Sequence, residues 1–131
     1  MRPSALLNLT IQSGGVMITR SGEGKECSFE GVSFDLLATD DRVMVTRMRF
    51  GGSDDVPFHD HPQAQAGYVI SGRYHLRTRG ADGAGVPGGD VDAELGPGDS
   101  YVVPGGVEHA ITVLEPGEVI DIFTPPRNEF L

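Results

Sequence analysis

The stretch that decides the fold of this chain is HDHPQAQ, residues 59–65, which carries two histidines separated by one residue. In an extended strand, the side chains of His59 and His61 point to the same face and can meet one cation. Gln65 has the same parity, and its amide oxygen is a neutral metal ligand. Gln63 shares this parity too, so it either competes with Gln65 as a ligand or is a polar pocket residue.

A second stretch, PGGVEH at residues 104–109, supplies a third histidine. His109 lies at the mouth of a later β-prone run, directly after a Pro-Gly turn. A His-X-His pair alone is more often a surface or structural feature than a metal site, but a closed barrel would return His109 to that pair. The fourth histidine, His75, is expected to be exposed. We therefore expect one divalent cation to be bound by four side chains, those of His59, His61, Gln65 and His109.

The rest of the chain consists of short β-prone runs separated by turns. Its 19 glycines and 9 prolines suit a fold with many turns. Runs rich in β-branched and apolar residues predict strands at 16–19, 33–38, 43–50, 66–70, 73–79, 91–95, 100–103, 110–114 and 118–123. No helix is predicted, and residues 80–90 are expected to form a surface hairpin loop. This pattern predicts an all-β sandwich, jelly roll or barrel.

The length and charge of the chain indicate its domain organisation and limit its partners. The 131 residues suit one domain, which we place at 16–131, behind an N-terminal arm at 1–15. A net charge of −9 argues against nucleic acid and against an anionic membrane surface as partners. Because no apolar run is long enough to span a bilayer and Cys27 is the only cysteine, we expect a cytoplasmic protein.

Both stretches resemble the two sequence motifs of the cupin superfamily. The first motif is G-X5-HXH-X3,4-E-X6-G, and its positions correspond here to Gly52, His59, His61, Gln65 and Gly72. The second motif is G-X5-PXG-X2-H-X3-N, and its positions correspond to Gly98, Pro104, Gly106, His109 and Val113. Three positions depart from the family pattern, because Gly52 lies one residue early, Val113 replaces asparagine, and Gln65 replaces the usual glutamate.

The resemblance implies a double-stranded β-helix, or jelly-roll, barrel that holds one divalent transition metal, with Zn, Ni, Fe, Mn and Cu all left open. It also implies a homodimer that binds a small molecule. With Gln65 in place of glutamate, the metal keeps its full +2 charge, which makes it a stronger Lewis acid. The site also lacks the two-histidine, one-carboxylate set of Fe(II) oxygenases, which argues against chemistry with dioxygen.

The C-terminal stretch is similar to the tail of small cupins of pectin degradation that act on 4,5-unsaturated uronates. This resemblance implies that Asp121, Phe123 and Arg127 line the pocket beside the metal. Arg127 would bind a substrate carboxylate, Asp121 would move a proton, and Phe123 would pack on the sugar face. Structural roles stay open for all three, as a hydrogen-bond acceptor, a core residue and a clamp for the tail. Tyr101 is a further pocket candidate, with core packing as the stronger alternative.

Three functions are compatible with these observations. The favoured one is a metal-dependent isomerase, cyclase or lyase acting on a small anionic, sugar-like molecule, and its sharpest form is ring opening and ketonisation of an unsaturated uronate. The second is a non-catalytic small-molecule sensor, which would bind its ligand without turnover. The third is an Fe(II)-dependent dioxygenase, which the missing carboxylate ligand disfavours. The sequence leaves open whether the protein is an enzyme.

Overall fold

The computed structural model describes residues 10–11, 15–80 and 90–131. The predicted N-terminal arm at 1–15 therefore lies largely outside the described residues, and so does most of the predicted loop at 80–90. The described part of the chain contains twelve strands and a short 3-10 turn. No helix in that part is long and apolar enough to cross a membrane. The all-β prediction is confirmed.

Two antiparallel sheets face each other as the two halves of a jelly roll. Their strands are β1 (Thr10–Ile11), β2 (Met17–Ile18), β3 (Lys25–Phe29), β4 (Val32–Thr39), β5 (Met44–Phe50), β6 (Val56–His59), β7 (Ala64–Val69), β8 (Arg73–Arg79), β9 (Val91–Leu95), β10 (Ser100–Val103), β11 (Glu108–Glu115) and β12 (Gly117–Thr124). The six-stranded sheet has the order β10-β7-β12-β5-β4-β3, and the four-stranded sheet has the order β6-β11-β8-β9. Strands β1 and β2 pair with each other.

Each predicted run overlaps a strand of the structure, but no run was predicted for β1, β3 or β6, and the His-X-His segment was misjudged. Strand β3 reads Lys-Glu-Cys-Ser-Phe, and its polar residues hide the strand pattern. Strand β6 ends at His59, and the chain then crosses from the four-stranded sheet to β7 in the six-stranded sheet. His61 lies in this crossover, so the expectation that His59 and His61 share one strand face was wrong.

The inner faces of the two sheets form the hydrophobic core. Along β12, the buried positions alternate as Val119, Asp121 and Phe123, because successive side chains of a strand point to opposite faces. This alternation carries Asp121 into the interior, where it is only 4% exposed. The neighbouring strand β5 supplies Thr46, whose hydroxyl donates a hydrogen bond to the backbone carbonyl of Asp121 over 2.9 Å. One carboxylate is thus built into the inner face of the six-stranded sheet.

The C-terminal tail folds back onto the barrel after β12. It ends in the 3-10 turn at Asn128–Phe130, whose Phe130 side chain is buried in the core. The Phe130 ring lies 4.6 Å from the ring of Phe34, between centroids. The ammonium of Lys25 on β3 donates a hydrogen bond to the carbonyl of Phe130 over 3.3 Å. This packing holds Arg127 in the interior rather than at a free end.

Candidate metal centre

The three histidines of the two motifs converge inside the barrel. His59 at the end of β6 pairs across the sheet with His109 of β11, and their ring centroids are 4.3 Å apart. The ring of His61 lies 5.7 Å from that of His59 and 5.0 Å from that of His109. One ring nitrogen from each histidine lies within 4.8 Å of the other two. Among the described residues, no other His, Cys, Asp or Glu cluster has spacing suited to a metal ion.

The turn at residues 104–106 brings the two motifs together. The amide N–H of Gly106 donates a hydrogen bond to the carbonyl of His61 over 2.8 Å. Gly105 lies so close to the crossover that a Cβ atom there would be 2.2 Å from the carbonyl oxygen of Pro62. Only a residue without a side chain permits this approach. The glycines of the second motif therefore position a histidine of the first.

Hydrogen bonds to backbone carbonyls determine which nitrogen of each imidazole is free. The Nδ1 atoms of His59, His61 and His109 lie 2.9, 3.0 and 2.8 Å from the carbonyls of Pro57, Gln63 and Val107, respectively. Because a carbonyl oxygen only accepts, Nδ1 carries the proton in all three rings. Each Nε2 atom then presents a lone pair. This arrangement is typical of metal-binding histidines, whose second nitrogen is held by a backbone or carboxylate oxygen.

The free acceptor atoms of the cluster match the requirements of a cation. The Nε2 atom of His109 is buried without a hydrogen-bond partner. The Nε2 atom of His61 lies 3.1 Å from the amide oxygen of Gln65, which places two acceptors opposite each other. Burial lowers the pKa of His109 to about 4 and also lowers the pKa of His61, so both rings are neutral at pH 7. Neutral imidazoles and an amide oxygen therefore fit a borderline divalent metal ion.

The two candidate glutamines have different partners. The amide oxygen of Gln65 faces His61, as described above, whereas the Gln63 amide N–H donates to the carbonyl of Pro126 over 3.2 Å. Gln63 therefore connects the crossover to the C-terminal tail. Its carbonyl also accepts the hydrogen bond that fixes the tautomer of His61. The structure thus places Gln65 at the histidine cluster and Gln63 behind it.

Asp121 and Tyr101 form a second layer next to Gln65. The hydroxyl of Tyr101 on β10 donates a hydrogen bond to Oδ1 of Asp121 over 2.5 Å. Burial raises the pKa of Asp121 to about 6, against the opposing effect of hydrogen bonds from Tyr101 and Gln65. Burial and the Asp121 carboxylate raise the pKa of Tyr101 well above its usual value, so its hydroxyl stays protonated. Tyr101 therefore contacts the site as well as packing against the core.

The guanidinium of Arg127 lies among three aromatic rings. Its central carbon is 4.5 Å from the ring centroid of Phe130, 4.7 Å from that of Phe29 and 5.3 Å from that of Phe123. Arg127 is only 4% exposed, and one Nη2–H donates to Glu129 over 3.0 Å. Its Nε–H group is buried without a partner. A buried cationic donor that lacks an acceptor is suited to an anionic group of a ligand.

The histidine cluster and Arg127 border one cavity of about 30 Å³, which is room for about two water molecules. Six of the seven predicted site residues line this cavity, and the seventh, His61, contacts Phe123 with 5.6 Å between ring centroids. Sequence analysis missed Phe29 and Phe130, which also line it. Neither residue belongs to a motif. The sequence offered only two weak signals: Phe29 ends a polar run, and Phe130 lies near the end of the chain. The roles of the seven residues stay predictions.

Comparisons with known proteins agree with this geometry. The family model described as "Cupin domain" matches residues 46–123. A search of curated proteins found no match. Among solved structures, KdgF from Halomonas sp. is 26% identical with a TM-score of 0.72, covering 87% of this chain and 99% of that one. An RmlC-like cupin from Shewanella frigidimarina NCIMB 400 is 24% identical with a TM-score of 0.73, covering 87% and 95%.

A more distant match shares the fold alone. Oxalate decarboxylase of Bacillus subtilis, a protein with Mn(II) centres, is 20% identical with a TM-score of 0.63, and the match covers 76% of this chain and 27% of that one. The family model spans more than half of the present chain and includes all four predicted metal ligands. The chain is therefore a member of the cupin family.

Proposed function

We propose that this protein is a metal-dependent isomerase that acts on a small anionic, sugar-like molecule. One observation carries the proposal: the histidine cluster, with the unpaired Nε2 of His109, and buried Arg127, with its unpaired Nε–H, border the same cavity. A ligand in this cavity would meet a cation site at one end and an anion-binding donor at the other. An acidic sugar, with its hydroxyl oxygens and its carboxylate, has both kinds of group.

The residues around Arg127 support a uronate as the substrate class. A guanidinium binds a carboxylate through charge-assisted hydrogen bonds, and the surrounding rings exclude water from that contact. Phe29 and Phe123 offer apolar faces on which a sugar ring can pack. The similarity of the C-terminal tail to that of the uronate cupins of pectin degradation favours the 4,5-unsaturated form. Because the cavity is small, we expect its half-buried residues Phe29 and His59 to move when a sugar enters.

The proposed reaction is a ring opening followed by ketonisation. A divalent cation would be held by His59, His61, Gln65 and His109, and it would supply Lewis-acid polarisation of a substrate oxygen. Asp121 accepts the proton of the anomeric hydroxyl, the ring C–O bond breaks as the aldehyde forms, and a proton is delivered to the double-bond carbon of the released enol. No oxidant or reductant is needed, because the product is an isomer of the substrate. Tyr101 holds one oxygen of Asp121 throughout.

The test is an absorbance assay on the purified, metal-loaded protein. Ketonisation removes the conjugated absorbance of a 4,5-unsaturated uronate, so we expect metal-dependent loss of that absorbance. Elemental analysis of protein purified without added metal identifies the ion. The variant His75→Ala is the matched control, because His75 lies on β8 and pairs with Asp92 outside the cluster. Tight uronate binding without absorbance loss would instead support a non-catalytic sensor.

We also propose that the protein is a homodimer. The outer face of the six-stranded sheet carries exposed apolar side chains near its β10 edge, with Val102 70% exposed and Tyr68 52% exposed. Val102 lies beside Ala66 of β7, which in turn lies beside Ile122 of β12. Such a row on one face is a surface that a second copy can bury.

A further inference from the structure

Gln65 is a ligand whose two ends look alike, since its amide carries an oxygen at one end and an NH2 group at the other. Only the oxygen can bind a cation. The structure places this oxygen 3.1 Å from Nε2 of His61. A hydrogen-bond acceptor must therefore hold the NH2 group away from the histidines. If the protein supplies this acceptor, the amide is oriented before a metal ion binds.

The partner is the layer formed by Asp121 and Tyr101. Gln65 on β7 is the diagonal neighbour of Asp121 on β12, and both side chains line the same cavity. The Gln65 side chain also opposes the rise in the pKa of Asp121 and of Tyr101, as a donor directed at their oxygens would. Because an ionised carboxylate only accepts, it selects the NH2 end of the amide. The Tyr101 hydroxyl in turn donates to Oδ1 of Asp121 over 2.5 Å, which fixes the rotamer of that carboxylate.

A gap on β7 makes this contact between Tyr101 and Asp121 possible. Gly67 lies between them in the sheet, paired with Tyr101 of β10 on one side and with Asp121 of β12 on the other. A Cβ atom at Gly67 would be 2.1 Å from Cζ of Tyr101 and 2.4 Å from its hydroxyl oxygen. The Tyr101 ring therefore crosses β7 directly over Gly67. Gln65 is two residues away on the same strand face, within diagonal reach of both side chains.

We propose that Tyr101, seated over Gly67, is a positioning residue of the metal centre: it holds Asp121, and Asp121 holds the Gln65 amide with its oxygen toward the histidines. This inference rests on the metal centre of the proposed function. Tyr101 makes no hydrogen bond or ring contact with His59, His61 or His109. Its effect on metal binding must therefore pass through Gln65.

The experiment is a titration of metal-free protein with Co(II), followed by the visible absorption of the bound ion. We expect Tyr101→Phe to raise the Co(II) dissociation constant by about tenfold, since loss of an outer hydrogen bond to a metal ligand weakens binding by about 10- to 100-fold. The d–d spectrum should change as well, because the oxygen ligand is displaced. The matched control is Tyr74→Phe, which removes another buried tyrosine hydroxyl, one that donates to the Ser71 carbonyl over 2.9 Å. This control should leave both readouts as in the wild type.

The double variant Gln65→Ala/Tyr101→Phe tests the route. If Tyr101 acts through Gln65, adding Tyr101→Phe to Gln65→Ala changes the Co(II) dissociation constant less than about twofold. The inference is overturned if Tyr101→Phe binds Co(II) like Tyr74→Phe, or if its tenfold penalty persists in the Gln65→Ala background. Absence of Co(II) binding by the wild type would overturn the metal centre itself, which is a separate result. Gly67→Ala provides a second test, because displacing the Tyr101 ring should reproduce the Tyr101→Phe spectrum.

Discussion

Replacing Arg127 by methionine separates its two possible roles, substrate binding and clamping of the tail. Methionine is unbranched and apolar, and it can fill the space between the rings of Phe29, Phe123 and Phe130. It removes the buried Nε–H and the contact with Glu129. It keeps most of the apolar packing of the arginine stem.

The effect on stability follows from three opposing contributions. The ion pair with Glu129 is half exposed, with 55% of the Glu129 side chain accessible, so its loss costs at most about 1 kcal/mol. Loss of the stacking of the guanidinium on the rings costs roughly 1–2 kcal/mol. Removing an unpaired buried donor returns about 1–3 kcal/mol. We therefore expect Arg127→Met to change the free energy of unfolding by no more than about 2 kcal/mol.

The effect on ligand binding should be much larger. A hydrogen bond to a charged group contributes about 1.5–3 kcal/mol, which corresponds to roughly a 10- to 150-fold rise in the dissociation constant of a uronate. Isothermal titration with a saturated uronate measures this rise, and urea unfolding measures the stability. The matched control is Arg79→Met, because Arg79 also stacks on a phenylalanine, 3.8 Å from the ring centroid of Phe58, but lies on the surface. Loss of more than about 3 kcal/mol of stability together with unchanged uronate affinity would refute the binding role and support the clamp.

Three further outcomes are expected. Removal of the metal by a chelator should lower the melting temperature by at least about 8 °C, since a ligand at 1,000 times its dissociation constant adds about 4 kcal/mol to the free energy of unfolding. Differential scanning calorimetry should show that His109→Ala abolishes this difference and that His75→Ala retains it. Measured at a metal concentration that saturates the site, Asp121→Asn should reduce turnover of an unsaturated uronate by at least about 100-fold, and unchanged turnover would remove Asp121 from the proton transfer. Val102→Lys should convert a dimer into a monomer in sedimentation equilibrium, whereas Val91→Lys, at 48% exposure on the other sheet, should not.

Much of the fold and the identity of the clustered histidines followed from the sequence. Alternation of apolar and polar residues is a local property of each strand, so runs such as 43–50 and 118–123 predicted β5 and β12 correctly. The glycine and proline spacing around the two motifs indicated a cupin, and the family match agrees. These signals can be recognised from the sequence alone, because they depend on residues that are only a few positions apart.

The chemistry of the site depended on contacts between residues far apart in the chain. His59 and His61 meet because the chain crosses between sheets, which strand parity did not predict. Phe29 and Phe130 surround Arg127 from opposite ends of the chain, and Tyr101 reaches Asp121 only because Gly67 leaves room for its ring. Which nitrogen of each histidine is free depends on backbone carbonyls in the folded chain. Residue types and spacing in the sequence indicated which groups were available, but their lone pairs, burial and orientation arise only when the sheets close, because those properties belong to the surrounding atoms.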